Sequence, residues 1–190
     1  MLGKTLGDIF DYACLHFAPN TAIIFEDQKY SYHELREKSQ RLANSLLQIG
    51  IGKGDRISIL MPNCPEIIYI DYAAVKLGLV MVPQAAYLSA EDIIYRLQES
   101  KSTVFVYHQI FDSTVEQVRQ KCPLVKHYIR ASGDSSDENG ADYHLETLIE
   151  SGANDEIEVI VEEDDLFGIF FTGGTTGVPK GVMHSHGTFA

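Results

Sequence analysis

The 190-residue sequence has few cysteines and no long apolar run. Its three cysteines, Cys14, Cys64 and Cys122, are widely spaced and form no CxxC pair. This pattern excludes a disulfide framework and a zinc site, and it favours a reducing compartment such as the cytoplasm. The longest charge-free windows, such as Tyr12–Phe25 and Leu77–Ala90, are fourteen residues long, which is too short for a transmembrane helix. The chain does not open with basic residues followed by an apolar run, so we expect no secretory signal.

Positive charge is also scarce, above all near the end of the chain. The sequence has 15 lysines and arginines against 27 acidic residues, a formal net charge of −12. Residues 131–190 contain 13 acids, all from Asp134 to Asp165, and a single base, Lys180. This balance argues against a nucleic-acid-binding protein. The acidic run itself predicts a solvated linker.

Short apolar runs alternate with amphipathic segments along most of the chain. An early hairpin is predicted over Thr21–Phe25 and Lys29–Tyr32, with a helix capped by Ser31 after it. Further strands are predicted at Arg56–Met61, Leu79–Val82, Thr103–Tyr107, Val125–Ile129 and Leu166–Phe171. Further helices are predicted at Glu66–Leu77, from Ser89 to about Ser100, and at Asp112–Lys121. The alternation predicts an α/β fold with a mainly parallel sheet and flanking helices.

The strongest chemical signal is the glycine-rich segment Thr172–Gly181 (TGGTTGVPKG). Glycine and threonine are poor packing residues, but they suit a loop in which backbone N–H groups and hydroxyls converge on an anion. The segment is neither a Walker A loop nor a GxGxxG fingerprint, because Pro179 precedes Lys180 and Gly181 follows it. Strand-like residues on both sides predict a strand–loop–strand motif. We therefore divide the chain into an α/β subdomain over residues 1–165 and a phosphate-binding motif over residues 166–190 that starts a second, truncated subdomain.

The run Phe170–Val182 (FFTGGTTGVPKGV) resembles the signature loop of the adenylate-forming, or AMP-binding, superfamily, which includes acyl-CoA synthetases, adenylation domains and luciferases. Two upstream segments, Gly54–Ile57 and Met61–Glu66, are similar to the same family. Gly173 stands where many members have Ser or Thr, and fatty-acyl-CoA ligases often resemble this glycine form. The resemblance implies an N-terminal fragment of a long-chain fatty-acid–CoA ligase, since family members run to roughly three times this length.

The resemblance also implies roles for the loop. Its expected cofactor-binding residues are Thr172, Gly173, Gly174, Thr175, Thr176, Gly177 and Lys180. The three glycines would let the backbone wrap the β- and γ-phosphates of ATP, Thr175 and Thr176 would donate hydroxyl hydrogen bonds, and Lys180 would offset charge. Thr172 is similar to the position whose hydroxyl lies beside Mg²⁺.

The implied reaction joins a fatty acid to ATP as an acyl adenylate and then passes the acyl group to coenzyme A. No catalytic residue is expected within the 190 residues, so we expect them to be inactive alone. The oligomeric state is left open. Two alternatives also stay open: an enzyme that adenylates amino acids or acyl groups for a carrier protein, and a non-catalytic nucleotide-binding α/β module.

Two weaker patterns resemble metal sites, but neither is complete enough to predict one. Ser135–Glu146 almost fits a calcium loop, but it lacks the first aspartate and a preceding helix. His184-x-His186 would put two imidazoles on one face of a strand, but no third ligand is near in sequence.

Overall fold

The protein is described by a computed structural model that covers residues 4–133, 140–173 and 177–190. The helices are α1 (Leu6–His16), α2 (Tyr32–Gln48), α3 (Pro65–Leu77), α4 (Ala90–Ser100), α5 (Asp112–Lys121), α6 (Leu145–Ser151) and α7 (His186–Phe189). The strands are β1 (Thr21–Phe25), β2 (Gln28–Ser31), β3 (Arg56–Leu60), β4 (Val80–Pro83), β5 (Val104–His108), β6 (His127–Ala131), β7 (Tyr143–His144), β8 (Leu166–Thr172) and β9 (Lys180–Ser185).

Within these residues, seven strands form one sheet in the order β7-β6-β5-β3-β4-β8-β9. Neighbouring strands are parallel except β8 and β9, which pair antiparallel. β1 and β2 form a separate antiparallel hairpin. The predicted α/β class with a mainly parallel sheet is therefore confirmed. Because β8 and β9 continue the same sheet, residues 166–190 are joined to the preceding part by main-chain pairing, and the division at residue 166 stays a prediction.

The sheet is covered on both faces, as parallel sheets usually are. Ile57 and Ile59 of β3 lie in one apolar core with buried side chains of α2 and α3. Leu60, on the same strand, lies in a second core with side chains of α4 and α5. None of the helices among the described residues is long and apolar enough to cross a membrane.

Local capping signals set several helix ends. Ser31 and Ser89 form capping boxes with the acidic residues three positions later, as the sequence predicts. Gly78 ends α3 in the left-handed conformation at φ 64°, which costs glycine little. The sequence prediction missed α1, although Thr5 and Asp8 form a third capping box at its start.

The structure corrects the linker prediction for the described part of the acidic run. Residues 152–165 are held by side chains of α2 and by Lys53 rather than free. The amide of Asn44 donates to two carbonyls of this segment at 2.9 and 3.0 Å, and Lys53 Nζ donates to a third at 3.0 Å. Ile157 and Val159 also pack on the apolar core. Most of the acidic side chains point to water, which is why the composition resembles that of a linker.

Candidate functional site

The glycine-rich loop connects β8 to β9 at the carboxyl edge of the parallel sheet. β4 and β8 run parallel and pair at Met81 and Gly168, so their carboxyl ends lie on the same side. In open α/β sheets, ligands bind at this edge. The strands expected on both sides of the loop are present as β8 and β9.

The two flanks of the loop are held together by the β8–β9 ladder. Thr172 and Lys180 are its last paired residues, and the Thr172 hydroxyl donates weakly to the Lys180 carbonyl at 3.4 Å. Gly177 has φ 97°, in the region that favours glycine. No described atom lies within 4 Å of where a Cβ would stand at Gly173 or Gly177. Both flanks therefore leave room for a ligand to approach the backbone.

Three predicted site residues, Gly174, Thr175 and Thr176, lie outside the described residues. The structure brings together Thr172, Gly173, Gly177 and Lys180 at one end of the hairpin. Thr172, Gly177 and Lys180 are exposed. Lys180 takes part in none of the ion pairs among the described residues, so its charge is available to an anion.

Gly181 is required by packing just beyond the loop. It pairs across the hairpin with Phe171. A Cβ at this position would lie 2.6 Å from Ile169 Cγ2 and 3.5 Å from the Phe171 ring. A larger residue here would displace Ile169 and Phe171, the side chains that pack along the last residues of β8 before the loop.

Helix α4 contacts the loop from the second face of the sheet. The Tyr95 hydroxyl donates to the Pro179 carbonyl at 3.0 Å, directly before Lys180. The Tyr95 ring also meets the edge of Phe171, with centroids 6.4 Å apart. The guanidinium of Arg96 stands over the same Phe171 ring, with its Cζ 5.3 Å from the centroid. Sequence analysis missed both α4 residues, because no local pattern marks contacts with residues so distant in sequence, such as the 84 positions between Tyr95 and Pro179.

The two histidines after the loop do not form a pair on a strand, because β9 ends at Ser185 and His186 begins α7. His184 contacts Phe170 and Phe189. His186 is fully buried against Phe167, and burial lowers its pKa. In the part of the chain that the structure describes, no group of three His, Cys, Asp or Glu side chains could hold a metal ion.

The calcium-loop pattern falls partly on residues 134–139, which lie outside the described residues. Its last acidic residue, Glu146, accepts a hydrogen bond from the Ser132 backbone at 2.7 Å. All three cysteines are free, and burial raises the pKa of Cys14 and Cys64 to about 11. Such thiols are poor nucleophiles at neutral pH.

Comparison with known proteins gives a consistent set of relatives. Residues 10–190 match the family described as "AMP-binding enzyme". The chain is 33% identical to the human mitochondrial acyl-coenzyme A synthetase ACSM1, over 85% of this chain and 28% of that enzyme. It is 36% identical to the long-chain-fatty-acid–CoA ligase FadD13 of Mycobacterium tuberculosis, over 84% of this chain and 30% of that enzyme. The chain thus spans about a third of the length of these relatives.

Solved structures agree with the sequence matches. The N-terminal domain of FACL13 from Mycobacterium tuberculosis superposes with a TM-score of 0.86 at 31% identity, covering 97% of this chain and 45% of that one. The anthranilate CoA ligase AuaEII superposes over 100% of this chain and 36% of that one, with a TM-score of 0.90. At 23% identity, the second match shows the fold alone.

Proposed function

Because the chain belongs to the AMP-binding enzyme family, we propose that it forms the phosphate-binding part of an ATP-dependent acyl-CoA synthetase. The proposed reaction activates a fatty acid as an acyl adenylate, releases pyrophosphate and transfers the acyl group to coenzyme A. The observation that carries the proposal is the open, glycine-lined hairpin end at the carboxyl edge of the sheet, where Lys180 forms no ion pair with any described residue. The relatives named as acyl-CoA and long-chain-fatty-acid–CoA ligases support the choice of substrate.

In this proposal the loop stabilises charge on the phosphates and on the leaving pyrophosphate. Gly173 and Gly177 leave the backbone accessible, so that N–H groups can approach phosphate oxygens. Lys180 supplies a compact positive charge at the point where the hairpin closes. Fixed donors of this kind stabilise developing negative charge without having to reorganise during the reaction.

The proposal includes a Mg²⁺ ion that binds together with ATP. Mg²⁺ in such sites keeps several waters and binds through substrate phosphates with few protein ligands. The exposed hydroxyl of Thr172 fits that need, since its hydrogen bond to the Lys180 carbonyl is long, at 3.4 Å. When bound, the ion would offset charge on the phosphate oxygens. The proposal also includes a subdomain boundary at residue 166. It further includes a reducing, cytoplasmic location, because the three cysteines are free thiols.

Titration of the chain with pyrophosphate and with MgATP, followed by calorimetry, tests the proposal. Lys180→Ala should weaken pyrophosphate binding by about tenfold to a hundredfold, because a hydrogen bond to a charged group contributes about 1.5–3 kcal/mol. Lys126→Ala is the matched control, since Lys126 is also exposed but lies beside β6 in the other half of the sheet. It should bind like the unmodified chain.

Two results would contradict the proposal: no binding of either ligand at millimolar concentration, or equal losses in the two lysine variants. We also expect no carboxylate-dependent ATP–pyrophosphate exchange from the 190 residues alone, because we assign no catalytic residue within them. Exchange by the purified chain would overturn that part.

A further inference from the structure

Arg96 is a buried cation without a carboxylate partner. Only 9% of its surface is exposed. It takes part in none of the ion pairs among the described residues, and its buried Nε has no hydrogen-bond partner there. Buried charges in proteins are normally paired or neutralised. An arginine in this state has N–H donors that can bind an anion.

Most of the other arginines are paired with carboxylates. Four of the six form ion pairs with carboxylates: Arg36, Arg41, Arg119 and Arg130. Arg56 also lacks an ion pair but is only half-buried, at the start of β3 and away from the loop. Among the described arginines, Arg96 combines near-complete burial with the absence of an ion pair.

Its position relates it to the glycine-rich loop. The guanidinium stands 5.3 Å from the ring centroid of Phe171, and Phe171 directly precedes Thr172. The neighbouring Tyr95 reaches the far flank of the loop through its hydrogen bond to Pro179. Consecutive residues of α4 therefore contact the two flanks of the same loop. The stacking on Phe171 holds the guanidinium plane but satisfies none of its N–H donors.

We propose that Arg96 is a second anion-binding residue of this site and binds a phosphate group of a di- or triphosphate on the face of the β8–β9 hairpin that α4 covers. Arginine suits this role because its planar fork can donate two parallel hydrogen bonds to one phosphate. The inference rests on the proposed phosphate-binding function and adds a residue from α4, outside the loop. The anion could be free pyrophosphate or the phosphate chain of a nucleotide, and the experiment separates the two.

The test compares the unmodified chain with Arg96→Gln, Arg96→Lys and the control Lys101→Gln. Lys101 is exposed at the carboxyl end of the same helix. Each protein is titrated with pyrophosphate, and separately with MgATP. Arg96→Gln should lose about tenfold or more in affinity, since charge-assisted bonds to phosphate are among the stronger ones in proteins. Arg96→Lys should recover part of that loss, and Lys101→Gln should lose none.

A second measurement follows binding in the unmodified chain and uses a variant only to assign the resonance. In the unmodified chain labelled with ¹⁵N-arginine, pyrophosphate should shift one side-chain Nε–H resonance, identified as Arg96 by its absence in Arg96→Lys. A shift with MgATP but not with pyrophosphate assigns the anion to the nucleotide, and a shift with both assigns it to the phosphate groups alone.

Unchanged affinity in Arg96→Gln, or an unperturbed Arg96 resonance while the chain binds its ligand, would overturn the inference and leave the proposed function intact. Failure of the unmodified chain to bind either ligand would overturn both.

Discussion

Replacement of Asp71 by asparagine should stabilise the protein at neutral pH and have little effect in acid. Asp71 lies on α3 and lines an apolar cleft of about 320 Å³ with side chains such as Phe10, Tyr72 and Phe167. Burial raises the pKa of its carboxyl from 3.8 to about 6, and burial is the only cause of the shift. The folded protein therefore pays a desolvation cost whenever this group is ionised.

The sign and size of the effect follow from the two pKa values. Below pH 3.8 the carboxyl is protonated in both states, and Asp71 costs nothing. As the pH rises from 3.8 to about 6, the unfolded chain releases the proton while the folded chain retains it, so stability falls. Above that range the full cost persists. A shift of about 2 units corresponds to at most about 3 kcal/mol. Because the group is only half-buried and borders an open cleft, we expect about 1–2 kcal/mol.

Urea unfolding at pH 4 and pH 8 measures this difference. Asp71→Asn should raise the free energy of unfolding by about 1–2 kcal/mol at pH 8, and the gain should shrink to a few tenths of a kcal/mol at pH 4, where the unfolded carboxyl is still partly protonated. Asp155→Asn, at an exposed position, is the control and should change neither value. A gain of the same size at both pH values would show that it does not come from the ionised carboxyl, and a loss at pH 8 would refute the reasoning outright.

Three further substitutions test the surroundings of the loop. Gly181→Ala should cost about 1–3 kcal/mol in urea unfolding because its Cβ would meet Ile169; unchanged stability would contradict this packing. Tyr95→Phe should weaken pyrophosphate binding about threefold to tenfold by removing the hydrogen bond to Pro179, with little change in the thermal midpoint; equal affinity would remove the role given to Tyr95. Burial lowers the pKa of His186 below 6.5, so the unmodified protein should lose stability relative to His186→Phe as the pH falls from 7.5 to 5; a pH-independent difference between the two would speak against it.

The local features of the fold could be predicted because each has its cause within a few residues. The capping boxes at Ser31 and Ser89 and the glycine that ends α3 are examples. The strands that flank the glycine-rich segment could be predicted in the same way, from their apolar residues. The docking of residues 152–165 could not be predicted. It depends on hydrogen bonds from Asn44 and Lys53 to backbone carbonyls, in which the acidic side chains take no part.

The same distinction explains why the sequence predicted helix α4 but not its contacts with the loop. A loop rich in glycine has little stabilising contact of its own and loses much conformational freedom on ordering. Its geometry must therefore come from its surroundings: the β8–β9 ladder, the packing at Gly181, and the hydrogen bond from Tyr95. A change in α4 can then alter phosphate affinity while the signature sequence stays intact. Tyr95 and Arg96 are the α4 residues through which we expect such changes to act.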